Sequence, residues 1–298
     1  MRISTGMMAQ SAIANVQTAF ERIARSQEQM GTGRRINRPS DDPVSLQHMM
    51  TLKNAIQRTE QFRRNAEETR NFLGVTDSAL DEAMRLVRRA RTLAVQAAND
   101  TIDASVRANL ANEVRGAILQ LGAIGNTAYG NRHVFAGQRT LAPPFEPAAG
   151  GGFEYVGGRS TTGDADLIAQ IGPSDMMVIN TTGDLVFGSA FAALHGLRAN
   201  LEGGSSSLIS REDLPAFDEA LTNLMGVRVQ VGSSVRRLEN VVQRYESATL
   251  NYTQIVSRIE DADIARTAVD LQTAELTYQG ALAATRIGFQ QSLLDFLR

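Results

Sequence analysis

The chain has 298 residues and nearly balanced charge, 30 Lys and Arg against 32 Asp and Glu, for a net charge of −2. That length accommodates one elongated domain or two to three packed units, and the balance argues against nucleic acid or an anionic membrane as a partner, since either needs a clustered basic surface. With no cysteine, disulfides, thiolate nucleophiles and Cys-ligated metal sites are excluded.

From Ala9 onward, apolar residues fall at Ile13, Val16, Phe20, Ile23 and Met30, steps of three and four that predict one helical face. Residues 3–20 carry no charge but are too rich in Ser, Thr, Gln and Asn for a secretory leader. Gly31 and Gly33 end this helix, and an irregular basic stretch, Arg34-Arg35-Ile36-Asn37-Arg38-Pro39, follows. Ser40-Asp41-Asp42-Pro43 reads as a helix start, with an aspartate cap and proline in the first turn. A long helical pattern then runs to about Ala98, clearest at Leu73, Leu80, Ala83, Val87, Ala90, Ala94 and Ala97. Roughly 55 residues at ~1.5 Å each would make a rod of about 80 Å. A further helix carries Val106, Leu110, Val114, Leu121 and Ile124. Lys53 is the single lysine among the 30 basic residues, a usage that reads as compositional bias rather than chemistry.

Between 140 and 188 the texture changes to glycine-rich and acidic, with Arg159 the only basic residue. Short β-like runs at Phe153–Val156, Leu167–Ile171, Met176–Asn180 and Leu185–Phe187 predict a small β-rich insert. Helical periodicity resumes at Ser189–Leu201, lapses at Gly203–Ser207 and returns from Arg211. Near the end, Leu271, Tyr278, Leu282, Phe289, Leu293 and Phe296 again step by threes and fours, and Arg286 is the only charge between Leu276 and Leu294. The two least charged stretches are therefore the two ends. Helices of that kind must pair, either within one bundle or by self-assembly with further copies. No run of about 18 apolar residues exists to span a membrane. On composition the chain is expected in the cytoplasm, unless it is exported without a cleaved signal.

Several segments carry a family resemblance. Met1–Thr5 with Gly31–Pro43 resembles the N-terminal region of bacterial flagellins and their relatives. Ile259–Ala265 resembles the flagellin C-terminal motif, and Gln290–Leu297 the flagellin chain end. Gly125–Gly137 resembles a segment of the hook–filament junction members of that family. The resemblance implies a mainly α fold: a long antiparallel coiled-coil rod built from the N- and C-terminal segments, with the β-rich insert at its distal tip. Segments 1–42 with 259–298 would form an inner assembly core and joint, 43–139 with 206–258 the rod, and 140–205 the insert with a short helix. Ile13, Val16, Phe20, Ile23, Met30, Leu271, Tyr278, Leu282, Phe289, Leu293 and Phe296 would form the assembly interface. At the joint, Arg34, Arg35 and Arg38, with Asp41 and Asp42 in the same stretch, would face Glu260, Asp261 and Asp263. Exposed pairs of that kind contribute only about 0.2–1 kcal/mol each, so their expected value is in register.

The implied role is a structural subunit at the hook–filament junction that templates flagellin polymerisation and needs no cofactor. Implied partners are copies of itself in a ring, the preceding hook-associated protein, flagellin and a cytoplasmic export chaperone. The implied route is unfolded export through the flagellar type III apparatus to the extracellular flagellum. The alternative within the family is a flagellin filament subunit. The alternative from another class is a surface glycan hydrolase using two carboxylates among Glu146, Glu154, Asp164, Asp166, Asp175 and Asp184. Other chemistry finds little support. Gly31-Thr32-Gly33 lacks the preceding strand and further motif residues of a phosphate loop. Asp41-Asp42 fits a helix cap, and Glu260, Asp261 and Asp263 lack the following glycine and oxygen ligands of a calcium loop. No Gly-x-Ser-x-Gly elbow occurs, and His48, His133 and His195 are expected in helices or turns.

Overall fold

The computed structural model describes residues 5–99, 102–148, 151–159 and 165–296, with the side chains of 5, 6, 8, 9 and 287–296 left aside. The fold is mainly helical, with long terminal helices and a small sheet region in the middle of the chain. It divides into two compact units, Met1–Thr59 with Ser247–Arg298, and Glu60–Glu246. The division falls inside two long helices, α2 (Pro43–Ala97) and α6 (Leu214–Glu260), rather than at the irregular stretches that flank them.

In the terminal unit, α1 (Thr5–Thr32) pairs with α7 (Ile264–Phe296). After α1, Gly33 takes φ +69°, a left-handed conformation that turns the chain without a Cβ clash. The start of α2 follows its sequence signals, since Asp42 Oδ1 accepts the Ser45 amide at 3.0 Å just before Pro43.

The central unit holds a continuous apolar core in which Leu73, Leu80, Ala83, Val87, Ala90, Ala94 and Ala97 of α2 are all buried. Against it pack α3 (Ala104–Gly125), started by Asp103 accepting the Val106 amide at 2.8 Å, and α4 (Gly183–Gly203). Leu110, Val114, Leu121 and Ile124 are buried as their spacing predicts, whereas Val106 stays 43% exposed in the first turn. Three two-stranded antiparallel ribbons complete the unit: β1 (Ala128–Tyr129) with β2 (Arg132–His133), β3 (Phe145–Ala148) with β4 (Gly152–Tyr155), and β5 (Ile168–Gln170) with β6 (Met176–Val178).

Segment 140–205 shares this core. Phe145 sits among Phe187, Phe191 and Tyr155 at ring distances of 5.8, 5.2 and 5.3 Å. Packing of β4 on α3 leaves no room for a side chain at Gly122, where a Cβ would meet the Phe153 ring.

Three expectations need correction. Leu185–Phe187 is not a strand but lies in the first turns of α4, where Val186, Phe187, Ala190, Phe191 and Leu194 are buried at helical spacing. A three-residue apolar run has no period of its own, and the residues after it decide. The helix expected from Arg211 is preceded by a short turn, α5 (Ser206–Leu208), and a π-helical turn, Ile209–Asp213, that buries Ile209 and Asp213. His133 lies on β2 rather than in a helix or turn, its Nδ1 2.7 Å from the Asn126 carbonyl.

Ribbon β1–β2 and strand β3 were not expected, whereas β4 falls on the expected run Phe153–Val156; ribbon β3–β4 is pinned by one side chain. The Asn126 amide donates to the Phe145 carbonyl and accepts from the Phe145 amide, each at 2.9 Å, standing in for a neighbouring strand. Asn180 does the same beside β5, accepting from Leu167 at 2.7 Å and donating to Ala165 at 2.6 Å.

Candidate assembly surface and its joint

The α1–α7 pair is antiparallel and closely packed. Its buried side chains are small: Ala19 and Ser26 on α1, Thr267 and Ala274 on α7, each seven residues from its mate. Half-buried Ala12, Val16 and Ile23, and Leu271, Tyr278, Ala281 and Thr285, complete the heptad rows. Small residues alternating with larger ones let two helix backbones approach closely while keeping the coiled-coil repeat. Val16, Ile23, Leu271 and Tyr278 were legible in the sequence; the buried half of the repeat was missed because it is carried by Ala, Ser and Thr. A search for small residues at seven-residue spacing would have found it.

The large apolar residues are left largely outside this seam. Ile13 is 49% exposed, Phe20 59% and Leu282 44%, and Met30 stands at the open edge. Phe20 reaches the Tyr278 ring at 6.1 Å only by its flank. Val269 and Leu276 on α7 are 61% and 69% exposed, on the side of that helix away from the seam. The side chains of Phe289, Leu293 and Phe296 lie outside the described residues.

At the base of the pair the two irregular stretches lie side by side. Arg34 and Asp261 form an antiparallel bridge. The Arg35 amide donates to the Glu260 carbonyl at 2.7 Å, and the Ala262 amide to the Gly33 carbonyl at 2.9 Å. Side chains reinforce this backbone contact. Arg34 Nη1 lies 3.0 Å from Glu260 Oε1, and Lys53 Nζ 2.8 Å from Glu260 Oε2. Arg35 Nη2 donates to the Ile259 carbonyl at 3.0 Å, and Arg35 Nη1 lies 3.8 Å from Asp42.

The remaining charged residues of the joint hold local turns. Arg38 pairs with Glu28 at 3.0 Å, and Asp41 accepts the Asn37 and Arg38 amides at 3.1 and 2.8 Å. These amide bonds hold the Asp41 carboxyl below the usual carboxylate range. Asp261 accepts from the Ser257 hydroxyl, and Asp263 caps α7 by accepting the Arg266 amide at 3.1 Å. Of the expected cross-joint charge pairs, the side chains therefore make Arg34 with Glu260. Lys53 is the charged residue at the joint that sequence reasoning missed.

In segment 140–205, Glu146 and Glu154 are cross-strand partners on the exposed face of the β3–β4 ribbon. Asp175 is paired with Arg237 at 2.8 Å, and Asp184 sits in the first turn of α4. Asp166 is exposed, and Asp164 lies outside the described residues. The described acids converge on no common point. Among the described residues no cluster of three or more His, Asp or Glu has the spacing to hold a metal, and no helix is long and apolar enough to cross a membrane.

Residues 3–140 match the family model of the bacterial flagellin N-terminal helical region, and residues 214–297 that of the C-terminal helical region. The chain is 28% identical over 290 residues to flagellar hook-associated protein 3 of Escherichia coli (strain K12), covering 88% of this chain and 89% of that one. It is 26% identical over 303 residues to the flagellar filament 33 kDa core protein of Treponema phagedenis, covering 99% and 98%. The flagellar junction protein FlgL from Legionella pneumophila shares the fold, with a TM-score of 0.57 at 16% identity over 73% of this chain and 100% of that one.

Proposed function

This chain belongs to the bacterial flagellin family, and we propose that it is the structural subunit that joins the flagellar hook to the filament. The observation that carries this reading is the terminal helix pair, which buries a small-residue seam and presents Ile13, Phe20, Val269 and Leu276 outward. Apolar side chains grouped on a helix pair need covering in water, and further copies of the same pair supply it. In the assembled ring one edge meets the preceding hook-associated protein, and the other offers a flagellin-like surface on which filament growth starts. The work is mechanical and involves no catalysed reaction. The subunit travels unfolded through the flagellar export apparatus to the extracellular flagellum, and a cytoplasmic chaperone shields the apolar ends beforehand. Identity to hook-associated protein 3 over nearly the full length of both chains supports the junction position.

A second reading, the filament subunit itself, is favoured by the 26% identity to the Treponema filament core protein. Gold labelling of this protein on detached flagella, viewed by electron microscopy, separates the two. A single spot where the curved hook meets the filament is expected. Label along the whole filament would assign the chain to the filament instead.

A further inference from the structure

Glu260 is one of two buried carboxylates among the described residues, at 6% exposure. It is the last residue of α6, where the partial negative charge of a helix C-terminus disfavours an acid. Two cations offset this, and they come from different stretches. Arg34 of the α1–α2 connection takes one carboxylate oxygen at 3.0 Å, and Lys53 of α2 takes the other at 2.8 Å. The Glu260 main-chain carbonyl meanwhile accepts the Arg35 amide at 2.7 Å. One residue thus ties the end of α6 to both α2 and the α1–α2 connection.

The α1–α7 seam needs such a tie. Ala, Ser and Thr carry little shape, so a seam built from them specifies its register weakly. A slip of α1 by one seven-residue repeat would set Ala12 where Ala19 sits and Ala19 where Ser26 sits, small for small, so the buried side chains alone resist it little. A buried polar or ionic contact at one end is the best-attested way to fix the register of paired helices. We infer that the Glu260 carboxylate sets the register of the α1–α7 pair, and that Lys53 is the positioning residue that holds it. The inference rests on the reading of this pair as the assembly surface.

The test uses the full chain with Lys53→Met, which keeps the length of the stem and removes the charge. Hydrogen exchange at the Arg35 and Ala262 amides, both bonded across the joint, is expected to accelerate at least about tenfold, while the Leu224 and Leu238 amides of the central unit keep their protection. Lys53→Arg is expected to restore most of that protection. In a Glu260→Gln background, Lys53→Met is expected to add nothing, since its partner is already gone. Filament number per cell, in a strain expressing only the variant, is expected to fall severalfold with Lys53→Met and to recover with Lys53→Arg. Unchanged exchange at Arg35 and Ala262 in Lys53→Met, or an additive effect in the Glu260→Gln background, overturns the inference. Phe20→Ser is the separate control on the assembly reading: normal filament number there sinks that reading, whatever the exchange at the joint shows.

Discussion

The central unit and the α1–α7 pair bury opposite kinds of residue. The central unit encloses Phe135, Phe187, Phe217, Leu80, Ile118 and Leu224 almost completely, and its rings meet edge to face, Phe135 against Phe187 at 4.8 Å and 81°. In the terminal unit the α1–α7 pair buries alanine, serine and threonine and leaves Phe20, Val269 and Leu276 exposed. Side chains as large as phenylalanine or leucine contribute about 1.5–3 kcal/mol each when buried. A helix pair that leaves them outside its seam lacks most of that stabilisation until something else covers them. The central unit is a finished fold, and on the reading proposed above the terminal pair is half of an interface.

Four substitutions break or sharpen this contrast, in order of decreasing effect on the monomer. Phe187→Ala removes a ring from a closed core and is expected to destabilise the central unit by about 3–5 kcal/mol, read by urea denaturation. The same change should leave the exchange protection of the joint untouched. Ala19→Leu overpacks the close seam and is expected to weaken the α1–α7 pair by about 1–3 kcal/mol, seen as loss of helical signal at lower temperature. A seam that accepts leucine without loss would refute the close-packing account.

The third change should stabilise. Asp213 is buried in the π-helical turn, where Asn200 Nδ2 donates to it at 2.9 Å and no cation pairs with it among the described residues. Burial pushes its carboxyl above the ordinary value of 3.8. Its folded form prefers the proton, so the stability of the central unit declines as pH rises through the raised value and is not diminished at pH below 3.8. Asp213→Asn is expected to add about 1 kcal/mol at neutral pH, with the gain vanishing in melts at acid pH. His195 acts in the opposite sense. Burial holds its imidazole below the ordinary 6.5, so its contribution is lost as pH falls from 6.5 through the lowered value. The smallest effect on the monomer belongs to Ile13→Ser, expected within about 0.5 kcal/mol because the side chain is already in water. Sedimentation under polymerising conditions should nonetheless show assembly reduced. Equal assembly by the variant would mean that this face covers nothing.

Much of the helical framework was legible in the sequence. The apolar steps from Leu73 to Ala97 became a buried face because a three/four pattern has only one physical solution in a helix. The breaks at Gly31–Pro43 and around Asp261 were equally readable, since glycine, proline and clustered aspartates punctuate a helix through their own backbone chemistry. The ribbons were readable only in part: the runs Phe153–Val156, Leu167–Ile171 and Met176–Asn180 mark β4, β5 and β6, but no such run marks β1, β2 or β3. Asn126 and Asn180 each replace a strand by pairing with backbone groups up to 19 residues away, and nothing local distinguishes such an asparagine from one in a loop. The seam was legible in part: Val16, Ile23, Leu271 and Tyr278 line it, but large side chains draw the eye while its buried positions are Ala19, Ser26, Thr267 and Ala274.

By itself the sequence determined that this protein is built from long helices, where they stop, and that its two ends are too apolar and too uncharged to stand alone. Those properties are local, set by side-chain periodicity and backbone stereochemistry. Only the tertiary structure decided which face of α1 meets α7, and that Glu260 finds Lys53 as well as Arg34. Those outcomes depend on how closely two backbones can approach and on which charges arrive at one point from distant stretches, and neither is a property of any single segment.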